Sequence, residues 1–201
     1  GSCDWVQTCA LPICLGLLTA IVVVMQFISM GLRFGTFSIT LTLIPIVVGS
    51  ALYGWGSGAW LGFVFGVTVL LTGDANLFLA VNIPGTIITV ILKGTLAGAA
   101  AGFVYKLISK KNQIAAVIVS AVVAPVVNTG IFVLGSYVFF FDYLSGLAEG
   151  TNLFVFILVG LVGINFFIEL GINLVLNPAI LQIIRIGKKN FGGKNQIIKT
   201  K

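Results

Sequence analysis

The chain has 201 residues, 59% hydrophobic and only 8% charged, with a mean hydropathy of +1.18; soluble domains are about a quarter charged, so water is excluded as the solvent for most of this surface. The formal net charge of +6 does not point to nucleic acid, because the cations stand at the ends of apolar runs and form no continuous basic face. With no His, and with cysteines only at Cys3, Cys9 and Cys14, the apolar segments lack a metal-ligand cluster or a Cys/His nucleophile pair, and no catalytic residue, metal or cofactor is expected.

In chain order, GSCDWVQTCALPIC holds every cysteine and lacks the basic start of a signal peptide. Residues 1–14 are expected to be a non-native or disordered leader, residues 15–185 a six-helix membrane domain, and residues 186–201 a basic cytoplasmic tail. A bilayer core about 30 Å thick takes roughly 20 apolar residues per helix. The first span is predicted from about Leu11 to Met30, ending at Gly31-Leu-Arg-Phe-Gly35, and the second from near Phe37 to Gly54. The third covers about Ala59 to Thr72, before the polar GDANLF around Asp74, and the fourth runs from Ile83-Pro84 to about Ile108. Lys110-Lys111-Asn112 precedes a fifth span, Ile114 to Phe141, and FDYLSGLAEGTN precedes a sixth, Leu153 to Ile184. The expected class is all-α, a polytopic membrane protein with six transmembrane helices in one bundle.

Sidedness follows from charge. Lys106, Lys110, Lys111, Arg185, Lys188, Lys189, Lys194, Lys199 and Lys201 lie on one side, whereas the opposite loops hold Arg33 with Asp74, Asp142 and Glu149. The positive-inside rule puts both termini in the cytoplasm for an even number of spans; the expected location is the plasma membrane of a bacterial cell, with the chain multi-pass.

Two full charges fall at mid-membrane depth, Lys93 in the fourth span and Glu169 in the sixth, and each is a site candidate because lipid disfavours it. Asn165, Glu169, Asn173 and Asn177 recur every four residues, a stripe down one helix face, and Asn128 lies in the fifth span. Two readings stand open. Lys93 and Glu169 neutralise one another while the asparagines bond neighbouring backbones, or Lys93, Asn128, Asn165 and Glu169 line an outward pocket above the more structural Asn173 and Asn177. Small residues recur at Gly16 and Ala20, at Gly58, Gly62 and Gly66, and at Gly94, Gly98 and Gly102; these serve either close packing within the chain or a smooth face for a partner. Trp55, Trp60, Tyr137 and Tyr143 read either as interfacial aromatics or as aromatics lining the pocket.

The stretch from Leu17 to Lys106 resembles the substrate-binding S component of energy-coupling factor (ECF) vitamin transporters. The features are a small-residue first helix, an L-x-x-I-P-I-V-x-G core (Leu41 to Gly49), a glycine turn with GxxxGxxxG, and a glycine-rich fourth helix. The resemblance implies an integral membrane protein that binds a water-soluble vitamin or precursor from outside. It implies a membrane coupling subunit and two cytoplasmic ATPase subunits as partners, and a toppling motion that releases substrate inward. It places the coupling-subunit contact at Gly16 and Ala20, and the pocket in the first loop and the fourth to sixth helices, with Arg33, Phe34, Asp74, Asn76 and Asn82 gating it.

Arg33 and Lys93 favour a ligand with a carboxylate, and pantothenate is the expected substrate, with riboflavin, folate or a pyrimidine precursor as alternatives. No Gly-x-x-x-x-Gly-Lys-Ser/Thr loop is present, so ATP is hydrolysed in partner subunits. A self-contained secondary carrier would show inverted repeats, which residues 15–108 and 114–184 do not. An intramembrane enzyme using Lys93 and Glu169 as acid and base lacks a nucleophile motif.

Overall fold

The computed structural model describes residues 4–31, 41–148 and 152–192, and among these every regular element is helical. The first apolar run forms α1 (Asp4–Gly31), which begins inside the cysteine-bearing stretch. Two shorter helices follow, α2 (Leu43–Tyr53) and α3 (Trp55–Leu71), separated only by Gly54 at φ 94°. That backbone conformation suits glycine and strains other residues, so one residue ends α2 and starts α3. The four-residue α4 (Asn76–Leu79) leads to α5 (Ile83–Ile108) and α6 (Gln113–Phe139). The starts of these two long helices are set by asparagine caps. Asn82 Oδ1 accepts from the Gly85 N–H at 3.0 Å, and Asn112 Oδ1 accepts from Ile114 and Ala115. A short α7 (Phe141–Leu147) follows α6.

The segment expected as one sixth helix is divided. It comprises α8 (Leu153–Val155), a π-helical stretch Phe156–Gly163, α9 (Ile164–Val175) and α10 (Asn177–Gly192). Gly160 and Gly163 in FILVGLVG weaken the α-helical preference where the wider π-turn forms. Pro178 has no N–H to offer the Leu174 carbonyl, and α9 and α10 are bent by 49° at that break. By length and apolarity α1, α5 and α6 can each cross a membrane, the bent α9–α10 pair can supply a fourth crossing, and α2 and α3 are shorter apolar helices. At about 1.5 Å per residue, the 11 residues of α2 cover only part of a bilayer core.

The tightest packing is α3 on α5, and it uses the glycine repeats. A Cβ on Gly62 would strike the Gly94 carbonyl oxygen, one on Gly94 would strike Gly62, and Gly58 and Gly98 oppose each other in the same way. Gly66 faces the Val90 carbonyl, which a Cβ would meet at 2.9 Å, and Gly102 faces the Trp55 backbone at 2.7 Å. The repeats at 58, 62 and 66 and at 94, 98 and 102 are therefore used inside the chain, which decides between the two readings in favour of close packing within it. With no hydrophobic drive between helices in lipid, such backbone contact is what holds them together.

Apolar side chains form two cores. The larger joins α1, α2, α3, α5, α6 and α10 through residues such as Val22, Ile46, Leu61, Phe65, Val117 and Ile184. The smaller is aromatic: Phe140, Leu144, Ile157 and Val162 pack with Phe78, Phe132 and Phe166.

A candidate ligand site between two cores

Lys93 lies where the two cores meet. Its half-buried ammonium stands 5.9 Å from the centre of the Phe65 ring, a member of the larger core, and 5.3 Å from that of Phe132, which belongs to the smaller one. Aromatic faces within about 6 Å attract a cation by roughly 0.5–2 kcal/mol, enough to orient Lys93 without using its hydrogen-bonding capacity. The glycine seam sets this geometry, because Gly94, the next residue, leaves room for Phe65 at 3.1 Å from where a Cβ would sit. On the other side Phe78 of α4 meets Phe132 edge-on at 5.4 Å and Phe140 at 5.0 Å, closing an aromatic wall.

Glu169 of α9 is buried and acts electrostatically on Lys93, and its backbone carbonyl accepts a hydrogen bond from Asn173 Nδ2 at 2.9 Å. Asn128 of α6 is buried, one helical turn before Phe132, and its Oδ1 has no hydrogen-bond partner among the described residues. Buried polar atoms are nearly always satisfied, so this carbonyl is available to a ligand or water. Pro125 interrupts the α6 hydrogen-bond ladder one turn earlier. Lys93, Asn128 and Glu169, the latter two buried, are carried by the packed helices α5, α6 and α9, while Asn173 and Asn177 are buried further along the same stripe.

Arg33 and Phe34 lie outside the described residues, as does the side chain of Asn165. The Asn82 side chain is engaged at both ends: Oδ1 caps α5, and Nδ2 donates to the Phe139 carbonyl at 3.4 Å, tying α5 to the end of α6. Gly16 and Ala20 are exposed on α1, and no atom lies within 4 Å of a Cβ placed on Gly16. Trp55, Trp60, Tyr137 and Tyr143 are exposed, as interfacial residues would be.

Sequence reasoning missed Phe65, Phe78 and Phe132, and it also missed Gln26. That glutamine is 1% exposed within α1; its Nε2 donates to Asp74 Oδ2 at 2.9 Å and its Oε1 accepts from Thr42 Oγ1 at 3.2 Å. It thereby joins α1 to the start of α2 and the end of α3. A glutamine deep in an apolar run was the available signal, and the spacing of Phe132 four residues after Asn128 was another.

A family model described as "ECF transporter, substrate-specific component" matches residues 13–181. Among solved structures, the chain is similar to ThiT from Listeria monocytogenes serovar, at a TM-score of 0.63 and 19% identity, covering 89% of this chain and 98% of that one; at this identity the likeness speaks for the fold. No curated protein matches.

Proposed function

Because the chain belongs to the family of substrate-specific components of ECF transporters, we propose that it captures a water-soluble vitamin outside the cell, with pantothenate the favoured ligand. The observation that carries the ligand class is the Lys93 ammonium, held between the Phe65 and Phe132 rings, a cation whose N–H donors suit a carboxylate. A charge-assisted hydrogen bond is worth about 1.5–3 kcal/mol. Asn128 Oδ1, buried without a partner among the described residues, suits a hydroxyl or amide N–H of the same ligand. Arg33 is a further cation for that carboxylate on the sequence pattern alone.

Glu169 near Lys93 offsets one of the two cations and leaves the site about one positive charge, which favours a ligand with a single carboxylate and hydrogen-bonding groups over a strongly charged one. Transport inward is energised by a membrane coupling subunit with two cytoplasmic ATPase subunits, the former docking on α1 at Gly16 and Ala20. Both termini face the cytoplasm and the apolar segments make six crossings. The test is mass spectrometry of small molecules released from detergent-purified protein, followed by calorimetry with pantothenate, riboflavin, folate and a pyrimidine precursor. One-to-one binding of pantothenate, lost in Lys93→Ala, is the expected result. Failure to bind any B vitamin sinks the reading.

A further inference from the structure

On the outside of the bundle, between α5 and α6, lies an open apolar groove of about 470 Å3 that shares no residue with the proposed vitamin site. Its floor is Ala99 and Ala100 of α5, and its walls include Trp55 at the start of α3, Leu96 and Phe103 of α5, and Ile131 of α6. Trp55 and Phe103 are each 56% exposed, so their rings stand out from the bundle and flank the channel between them.

The direction of this groove is what assigns its occupant. Leu96, Ala99, Ala100 and Phe103 share one face of α5, and the same helical periodicity continues to Lys106 and Leu107 and, just past the helix end, to Lys110. Lys106 and Lys110 are exposed, and at about 1.5 Å per residue they lie roughly 5–10 Å beyond Phe103 along the axis. One stripe of the molecule therefore runs from an alkyl-lined channel, past two aromatic rings, to two ammonium groups at the membrane boundary. That order matches a phospholipid read from tail to phosphate, since lysines next to a transmembrane helix attract anionic headgroups and interfacial aromatics sit at headgroup level. A transmembrane helix of a partner would fill the apolar channel but would leave the lysines without a counter-charge.

We propose that this groove holds one acyl chain of an anionic phospholipid whose phosphate is bound by Lys106 and Lys110. The proposal does not depend on which vitamin the protein carries. It is tested by native mass spectrometry of the full chain extracted from vesicles of phosphatidylcholine and phosphatidylglycerol in equal parts. The expected wild-type result is retention of one phosphatidylglycerol in preference to phosphatidylcholine by about tenfold. The double variant Lys106→Gln/Lys110→Gln keeps a lipid but loses the preference, whereas Ala100→Phe, which fills the floor, loses both lipids. Should Ala100→Phe fail to fold, Phe103→Ala removes one wall without adding bulk and gives the same loss. Phosphatidylglycerol retained equally by wild type and either groove variant overturns the proposal. So does a wild-type protein that shows no headgroup preference, or an Ala100→Phe protein that keeps its lipid but no longer associates with its membrane coupling subunit, which would assign the groove to a partner helix.

Discussion

Along the α3–α5 seam glycine faces glycine and backbone meets backbone, with Gly62 against Gly94 and Gly58 against Gly98. Across the candidate site α6 faces a different kind of neighbour, a segment that passes through a π-helical stretch and α9 before bending by 49° into α10. Polar side chains take the place of glycines there: Asn128, Glu169 and Asn173 are all buried. Two packed backbones have no soft coordinate, whereas a π-turn and a proline break are places where a helix can change its path at modest cost. Lys93 and Phe65 thus sit on the rigid half, and Glu169 on the deformable one. A ligand bound at the proposed site between them would bridge a fixed wall and an adjustable wall.

The comparison is broken most directly by adding bulk to the rigid half. Gly62→Leu drives a side chain into the Gly94 backbone, where nothing flexible can yield, and overpacking of this kind costs about 3 kcal/mol or more. The expected outcome is loss of folded, monodisperse protein in detergent, read by thermal unfolding. Gly130→Leu is the control, because a Cβ there meets no atom within 4 Å and leucine is the better helix former. A Gly62→Leu protein that melts with the wild type would remove the seam as the rigid element.

The next effect separates a structural ion pair from a ligand site. Lys93→Met and Glu169→Gln are made singly and together, and both pantothenate affinity and thermal stability are measured. If the pair only neutralises itself, each single change destabilises and the double recovers much of the loss. The site reading predicts instead that Lys93→Met weakens binding by about 10–100-fold, that the double variant does not restore it, and that stability moves little.

Asn128→Leu sharpens the same contrast with a smaller effect. Its carbonyl oxygen is buried and has no partner among the described residues, so an apolar replacement of similar size removes an unsatisfied group. Stability is expected to hold or rise by up to about 1 kcal/mol, while ligand affinity falls by about 5–30-fold. A drop in stability with unchanged affinity would make Asn128 a structural residue.

How much of this was legible beforehand follows the physics of each signal. The long helices α5 and α6 were read almost to the residue, because Pro84 and the lysine-asparagine turn at 110–112 punctuate apolar runs of spanning length. Lys93, Glu169 and Asn128 stood out as candidates because charge and amide groups in lipid are conspicuous. The aromatic cradle of Lys93 was not, since a phenylalanine in an apolar run carries no sign of which ring a cation will face. The division of the sixth segment escaped because a π-turn needs only one extra residue per turn, which hydrophobic periodicity hardly registers, although Asn177-Pro178 did announce the break. Asn82 was read as a gate because its role as a helix cap, clear from the Pro84 that follows, was passed over. The glycine repeats were recognised as close-approach surfaces, but sequence does not say whether the opposing backbone belongs to the same chain.

That last ambiguity leaves α1 as the helix on which a partner surface can be tested, and here the expected effect on the isolated protein is the smallest. Only 17% of its spanning window is buried, against 39% for α5 and for α6, so α1 presents most of its circumference to whatever surrounds it. Ile13, Leu17 and Val24 are exposed around Gly16 and Ala20, and the space above Gly16 is open. Gly16→Leu is therefore expected to leave thermal stability and vitamin binding unchanged, since it disturbs no internal contact and improves helix propensity by a few tenths to about 1 kcal/mol. If α1 is where a coupling subunit packs, the same variant reduces co-purification with that subunit and stops uptake in vesicles. The glycine seam would then be the internal counterpart of this open face: one set of small residues closes the fold and the other is left for a neighbour. A Gly16→Leu protein that assembles and transports as well as wild type would move the interface off this helix while leaving the α3–α5 seam untouched.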